Sequence, residues 1–261
     1  MRIVRYQMVE EISRQEAPKY GWIYENKIGP IEGDIFTEYQ REEATIPLEK
    51  VHLFNPVVPG KIVCVGRNYA AHAAEHQAEV PEYPLIFLKP PSSVIGPGDP
   101  IILPPQSKKV EHEAELVVVI GKRGRWLQLD EAMSIVFGYT IANDVTARDL
   151  QYQDGQWTRG KGFDTFCPVG PWIDTEFDPS DSMLTSHVNE ELRQMAPTRD
   201  MVFSIPELIV YITSIMTLNP GDLILTGTPS GVGALTSGDE VVVRIERLGE
   251  LRNPVTAETR R

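Results

Sequence analysis

The chain holds 261 residues, 41% hydrophobic and 24% charged, with a formal net charge of −12. A core of that size needs no disulfide staples, and the acidic balance argues against nucleic acid or an anionic membrane surface as a partner. No apolar run approaches the ~20 residues of a membrane span, and the N-terminus shows no signal-peptide core, so a cytoplasmic protein is expected.

Residues 1–56 read as a small β-rich N-terminal domain, with strands expected at 1–6 and 21–24. Pro56-Val-Val-Pro-Gly60 marks a boundary, and residues 57–261 form the expected catalytic domain. Short apolar strands are predicted at 62–65, 85–88 and 101–103, the last two fenced by prolines. A short helix is expected at 131–137. Residues 151–170 are polar and glycine-rich and read as a loop. The clearest helix spans 204–218. Ser204 stands at its cap, Pro206 suits its first turn and Glu207 completes a capping box. Strands follow at 222–226 and 240–246, and the tail from Gly249 offers mixed charges and little core. Strands outnumber helices without alternating with them, which predicts an α+β fold rather than a doubly wound parallel sheet. Cys64 and Cys167 lie in apolar surroundings without metal-ligand spacing and are expected as buried thiols.

One stretch carries charge where a strand should be apolar. Val110-Glu-His-Glu-Ala-Glu-Leu-Val-Val-Val-Ile-Gly121 reads as one buried strand with an acidic first half. Alternation places Glu111, Glu113 and Glu115 on one face, about 7 Å apart in succession. Asp144 adds a carboxylate in a second strand-like run. Unpaired, such carboxylates repel one another and resist desolvation. Ion pairs to Lys108 and Lys109 are one answer and a divalent metal is another. All-oxygen ligation favours Mg²⁺, Mn²⁺ or Ca²⁺ over zinc.

His72 and Glu75 are three apart in an alanine-rich helical stretch, so they share a helix face. A carboxylate beside an imidazole orients it and raises its basicity, as a general base requires. The plainer alternative is a surface helix with incidental charges, and His76 is a weaker candidate. Arg67, Lys89, Arg148 and Lys161 occur in places unlike a solvated face. Each alone reads as an ion-pair partner, and together they suggest a site for an anion. Two familiar motifs fail. His112-Glu113 would need a histidine where Leu116 stands, and the glycine-rich 227–233 run lacks a phosphate-loop lysine, leaving a tight turn.

Six collinear segments resemble the fumarylacetoacetate hydrolase family over roughly residues 61–248. They are Val65-Gly-Arg-Asn-Tyr-Ala-Ala-His72-Ala-Ala-Glu75, Leu85-Ile-Phe-Leu-Lys-Pro90, His112-Glu-Ala-Glu-Leu116, Gly138-Tyr-Thr-Ile-Ala-Asn-Asp-Val-Thr-Ala-Arg-Asp149, Lys161-Gly-Phe-Asp-Thr-Phe-Cys-Pro168 and Leu225-Thr-Gly-Thr-Pro-Ser-Gly-Val-Gly233. The resemblance is to bacterial 2-hydroxyhepta-2,4-diene-1,7-dioate isomerases and acylpyruvase-like members. It implies a mixed β-roll, a homodimer, and Mg²⁺ or Mn²⁺ (sometimes Ca²⁺) held by Glu113, Glu115 and Asp144, with Glu111 outside the set. It implies that His72 and Glu75 lie on a lid and act in catalysis with Lys161. Arg148, Gln151 and Thr228 then stand near the substrate carboxylate, and Arg67 joins them as a substrate contact. Gly162 replaces a common serine and Glu190 a common hairpin glycine.

The implied activity is a metal-dependent reaction of 2-oxo dicarboxylic acids or acylpyruvates through a metal-bound enolate. C–C hydrolysis and dienedioate-type isomerisation are the leading forms, with oxaloacetate decarboxylation as an alternative. The reading from another class is a non-catalytic, metal-stabilised binding protein. The His72, Glu75 and Lys161 set argues against it, since binding alone needs no base.

Overall fold

The computed structural model describes residues 1–14, 16–75 and 77–259; His76 lies outside them. The apolar run of Ala114–Ile120 dictates the centre of the molecule, because every residue in it is buried. It pairs antiparallel with Val136–Asn143 on one side and Leu223–Leu225 on the other. Alternation then splits its side chains between two cores. Leu116, Val118 and Ile120 join one with Leu208, Ile209 and Ile212 of the helix Ile205–Ile215. Val117 and Val119 join another with Ile62, Cys64, Val169 and Ile173. Each fully buried aliphatic side chain contributes about 1.5–3 kcal/mol, so the strand has no register in which one face could be given up to water.

The large mixed sheet runs outward from this centre. Leu223–Leu225 pairs parallel with Ile62–Gly66, which pairs antiparallel with Leu85–Lys89. On the other side, Val136–Asn143 pairs with Cys167–Asp174, and that strand pairs with Arg2–Met8. The N-terminal strands Lys19–Tyr24 and Lys27–Gly33 continue the same sheet. A second sheet orders Ile101–Leu103, Gly249–Ala257, Glu240–Ile245, Met183–Val188 and Glu191–Pro197. A three-stranded sheet of Thr146–Ala147, Val110–His112 and Gly233–Ala234 completes the α+β architecture. Among the described residues, no helix is long and apolar enough to cross a membrane. Both cysteines are buried free thiols, and burial pushes the Cys167 thiol up to about 12.

The predicted helix at 204–218 is present as Ile205–Ile215, with the Glu207 carboxylate accepting from the Ser204 backbone N–H at 2.8 Å. The helix predicted at 131–137 is a single 3₁₀ turn, Ala132–Ile135. Three expectations are corrected. The tail is the nine-residue strand Gly249–Ala257, with Leu251, Asn253 and Val255 facing inward. Its period-two pattern was hidden by the inward polar Asn253, which donates to Gly96 O and Asp99 O. Residues 151–170 include most of the helix Arg148–Asp154, the helix Thr158–Lys161 and the start of a strand. The glycines there serve packing as well as turning: a Cβ on Gly160 would lie 2.9 Å from the Gln151 Cβ. Finally, the acidic stretch is two strands, Val110–His112 and Ala114–Ile120, broken at Glu113.

Candidate active site

The break at Glu113 builds the site. The Glu113 backbone N–H donates to the Asn143 Oδ1 at 2.9 Å, and the Asp144 N–H donates to Glu113 O at 2.8 Å. These bonds bring the ends of two neighbouring strands together. Oxygens of Glu113, Glu115 and Asp144 thereby lie within 4.8 Å of one another, and all three residues are buried. Glu111 turns elsewhere, to Lys109 at 2.9 Å and Arg148 at 2.6 Å. The Lys109 ion pair foreseen for an acidic strand is therefore present, but at Glu111 and not within the three.

Buried cations saturate two of the carboxylates and leave the third out. Lys89 donates to one Asp144 oxygen at 2.6 Å and to Val145 O at 3.1 Å. Lys161 donates to the other Asp144 oxygen at 2.7 Å and to Glu113 at 2.8 Å. Arg148 pairs with Glu113 as well, and donates to Gln151 Oε1 at 2.6 Å. Burial works against a charged Glu113, yet Lys161 and Arg148 hold it well below the usual carboxylate range. Glu115 behaves oppositely. Burial, then Asp144 and Glu113, push its carboxyl well above that range, although the Gly227 N–H donates to it at 2.7 Å. Four buried carboxylates (Glu111, Glu113, Glu115 and Asp144) face three buried cations (Lys89, Arg148 and Lys161). Lys109 pairs with Glu111 from the surface, so among the described residues Glu115 alone of the four has no cation at ion-pair distance. It converges with Glu113 and Asp144, and that all-oxygen donor set fits a hard divalent cation.

The floor opens into a cavity of about 160 Å³, lined also by Arg67, His72, Phe87, Gln151, Tyr152, Trp157 and Thr228. His72 lies on the helix Ala70–Glu75, its Nδ1 3.4 Å from Glu75 Oε2. The Gly231 N–H donates to both Glu75 oxygens at 3.1 and 3.2 Å, tying this helix to the glycine-rich turn. Thr228 donates its hydroxyl to Ala114 O at 2.9 Å, so it braces the strand break while lining the cavity. Phe87 packs edge-on against Trp157 with centroids 5.1 Å apart, and the Lys161 Nζ sits 5.0 Å from the Phe87 ring centre. A side chain at Gly162, just past Lys161, would bring its Cβ within 2.5 Å of Thr158 O.

The structure thus brings Glu113, Glu115, Asp144, His72, Lys161, Arg67, Arg148, Gln151 and Thr228 to one cavity. Glu75 stands behind His72. Lys89, grouped by sequence with cations for an anion, is instead buried against Asp144. Four contributors escaped notice. Asn143 and Thr146 flank Asp144 and bond to Glu113, a role suggested only by their place in the Asn-Asp-Val-Thr run. Phe87 read as ordinary strand core. Gln194, on a mostly exposed strand, accepts from the Ala114 N–H at 3.0 Å and donates to Thr228 Oγ1 at 2.8 Å. No local pattern points to Gln194.

The chain is similar along its length to known proteins. Residues 61–256 match the model for the fumarylacetoacetate (FAA) hydrolase C-terminal domain, and residues 1–56 match Rv2993c-like, N-terminal. The mitochondrial oxaloacetate tautomerase Fahd2a of Rattus norvegicus is 47% identical over 222 residues, 80% of this chain and 71% of that one. The structure of 2-hydroxyhepta-2,4-diene-1,7-dioate isomerase from Mycobacterium marinum is 40% identical, with a TM-score of 0.90 over 100% of both chains. Maleylpyruvate hydrolase from Sphingobium sp. SYK-6, solved with manganese(II) and pyruvate, is 32% identical, with a TM-score of 0.81 over 99% of this chain and 100% of that one. The chain belongs to the fumarylacetoacetate hydrolase family, and with hydrolases and isomerases as its relatives it is an enzyme.

Proposed function

We propose that this enzyme moves a proton at the carbon beside the 2-oxo group of a small 2-oxo acid, interconverting its keto and enol or dienol forms. The observation that carries the reading is the shared cavity. An imidazole backed by a carboxylate opens onto the same space as three buried, converging carboxylates. Glu113, Glu115 and Asp144 would hold Mg²⁺ or Mn²⁺, with Ca²⁺ as a third candidate, and the bound ion would supply the positive charge that polarises the acid's 2-oxo oxygen.

The chain's own groups do the rest. His72 takes the proton from the carbon next to the oxo group and returns it to the oxygen or to the far carbon of the dienol. Glu75 holds the imidazole in place and stabilises its protonated form. Lys161 and Arg148 fix the orientation of Glu113 and add positive charge where negative charge grows on the substrate. Phe87 and Trp157 keep water from the reacting carbon. The identities to an isomerase and a tautomerase, both above that to the hydrolase, support proton transfer as the first reading.

A second reading, C–C hydrolysis of an acylpyruvate, is favoured by the manganese and pyruvate bound to the Sphingobium relative. In it, His72 takes its proton from water instead. One experiment separates them. The Mg²⁺- and Mn²⁺-loaded enzyme is offered oxaloacetate, an acylpyruvate and a hydroxymuconate-type dienol in D₂O, followed by proton NMR. Deuterium entry beside the oxo group, faster than any pyruvate release, is expected. Pyruvate release from the acylpyruvate without prior exchange would replace the first reading by the second, and no reaction with any of the three would sink both.

A further inference from the structure

We infer that Gln194 is a positioning residue that sets the distance between the ion-binding floor of the cavity and the His72 helix at its rim. The inference rests on the reading above, in which Glu113, Glu115 and Asp144 hold the ion and His72 moves the proton. The strand Glu191–Pro197 has one buried residue, and it is Gln194, with none of its surface exposed. An amide buried that fully is costly unless it is bonded. All four hydrogen-bonding positions of Gln194 are filled. Its Nε2 donates to Thr228 Oγ1 at 2.8 Å and to Pro229 O at 2.7 Å. Its Oε1 accepts from the Ala114 N–H at 3.0 Å and lies 3.1 Å from His112 Nδ1. A backbone N–H only donates and a carbonyl only accepts, so these partners fix which way the amide points, and His112 Nδ1 donates to Oε1.

One end of this network is the floor. Ala114 stands between Glu113 and Glu115, and both of its backbone groups are taken. Gln194 holds the N–H, and the Thr228 hydroxyl holds the carbonyl at 2.9 Å. Fixing the peptides on either side of Ala114 fixes where the two carboxylate side chains start. His112, whose Nδ1 is also 3.2 Å from Ser186 Oγ, steadies the residue before Glu113. The other end is the rim, reached through the turn 227–231. The first N–H of this turn, on Gly227, donates to Glu115 at 2.7 Å, and the last, on Gly231, donates to both Glu75 oxygens at 3.1 and 3.2 Å. Glu75 in turn stands 3.4 Å from His72 Nδ1. Gln194 grips the middle of the turn at Thr228 and Pro229. The residue before Gln194 supports the far end: Gly231 has a φ of +98°, and a Cβ there would overlap Arg193 O.

A side chain bonded to the floor alone would steady the ion, and one bonded to the turn alone would steady the base. Gln194 is bonded to both, with its carbonyl on the strand break and its amide N–H groups on the turn. It therefore holds the two halves of the site in one register from outside the cavity. Removing an outer partner of a metal ligand typically costs about 10- to 100-fold in metal affinity or activity, and a misplacement of about 1 Å between reacting groups costs about 10²-fold.

The test uses the full-length protein with Mn²⁺ as the probe. Calorimetry reads its dissociation constant at the floor. In Mg²⁺-loaded protein carrying a small fraction of Mn²⁺, the paramagnetic relaxation of isotope-labelled His72, assigned through His72→Ala, falls steeply with distance and reads the spacing to the rim. Gln194→Met fills the same space without hydrogen bonds. It is expected to raise the Mn²⁺ dissociation constant about 10- to 100-fold and, with the site still saturated, to weaken the relaxation of His72. Gln194→Asn keeps the amide on a side chain one methylene shorter. It should fall between the two, and it carries the same test where Gln194→Met does not fold. Leu208→Ala, in the helix core and absent from the cavity lining, lowers the melting temperature and should move neither readout. Unchanged readouts in the Gln194 variants, a change in only one of the two, or equal changes in Leu208→Ala at a matched melting temperature would each overturn the inference and leave the ion site intact. Wild type that binds no Mn²⁺, or binds it without relaxing His72, would overturn the reading of the site itself, and the role of Gln194 with it.

Discussion

The floor and the rim of the cavity are built on opposite principles. At the floor, Glu113 and Asp144 are buried at strand ends, and each is bonded by two cationic side chains. At the rim, His72 stands on a six-residue helix whose Glu75 is anchored by one backbone N–H, and Arg67 stands on a strained turn. A floor so constrained can only bind and polarise. A rim held by few bonds can differ between relatives without disturbing the fold. On the proposed function, the floor would fix the acid and the looser rim would decide what happens to it.

The largest expected effects break the floor, and they differ between its members. Asp144→Asn and Glu115→Gln should each abolish divalent-ion binding, seen by calorimetry, and lower turnover by about 10³-fold or more, since a bound metal supplies several kcal/mol of charge stabilisation. Their stabilities should diverge. Asp144→Asn leaves Lys89 and Lys161 buried with less counter-charge, and breaking such a pair costs about 3–5 kcal/mol. Glu115 is pressed by two neighbouring carboxylates and, among the described residues, has no cation of its own at hydrogen-bond distance. Glu115→Gln should therefore leave the metal-free protein's stability within about 1 kcal/mol of wild type. Equal destabilisation of both, measured by urea unfolding in a chelator, would contradict the division of charges at the floor.

The next effect breaks the rim and spares the floor. His72→Ala should retain metal binding and lose about 10²- to 10⁴-fold in turnover, the usual contribution of a positioned base. Unchanged turnover would remove His72 as the proton carrier. Chelation gives a milder and reversible effect on the floor. Ion at 100 times its dissociation constant adds about 2.7 kcal/mol of stability. Wild type should melt at a lower temperature once stripped of metal, whereas Glu115→Gln should show no difference.

How far the sequence could be read follows the same division between local and long-range bonds. The helix Ile205–Ile215 was legible because its signals are local: a cap at Ser204, a proline in the first turn and Glu207 three residues on. The strands at 62–66 and 85–89 were legible from apolar runs between glycine and proline. The floor was half legible. Period-two alternation flagged Glu113 and Glu115 but admitted Glu111 equally. What excludes Glu111 is the break at Glu113, made by a bond to Asn143 thirty residues away. Lys89 stayed open between an ion pair and an anion site for the same reason, since its partner Asp144 is 55 residues distant. The helices Arg148–Asp154 and Thr158–Lys161 are too short for a hydrophobic period to show. At Arg67, sequence showed a charge after a strand but not the positive φ.

The smallest effect sharpens the comparison by separating strain that serves the cavity from strain that does not. Arg67 and Glu190 both carry a Cβ at positive φ, +58° and +69°. Glu190 closes the hairpin between Met183–Val188 and Glu191–Pro197 beside Asn189, which is also left-handed. Two consecutive left-handed residues suit a two-residue hairpin turn, but glycine fills the second position at less cost than glutamate. Glu190 is exposed and absent from the cavity lining. Glu190→Gly should gain about 0.5–1 kcal/mol, partly offset by the greater freedom of glycine in the unfolded chain. A gain of that size raises the melting temperature by about 1–4 °C, with turnover and metal binding unchanged. Arg67→Gly should gain stability for the same reason, but it removes a cation from the cavity lining and should weaken binding of an anionic substrate. If both variants gained stability and kept full function, the strain at Arg67 would be no more than the strain of an ordinary turn, and the rim would lose its distinction from the rest of the surface.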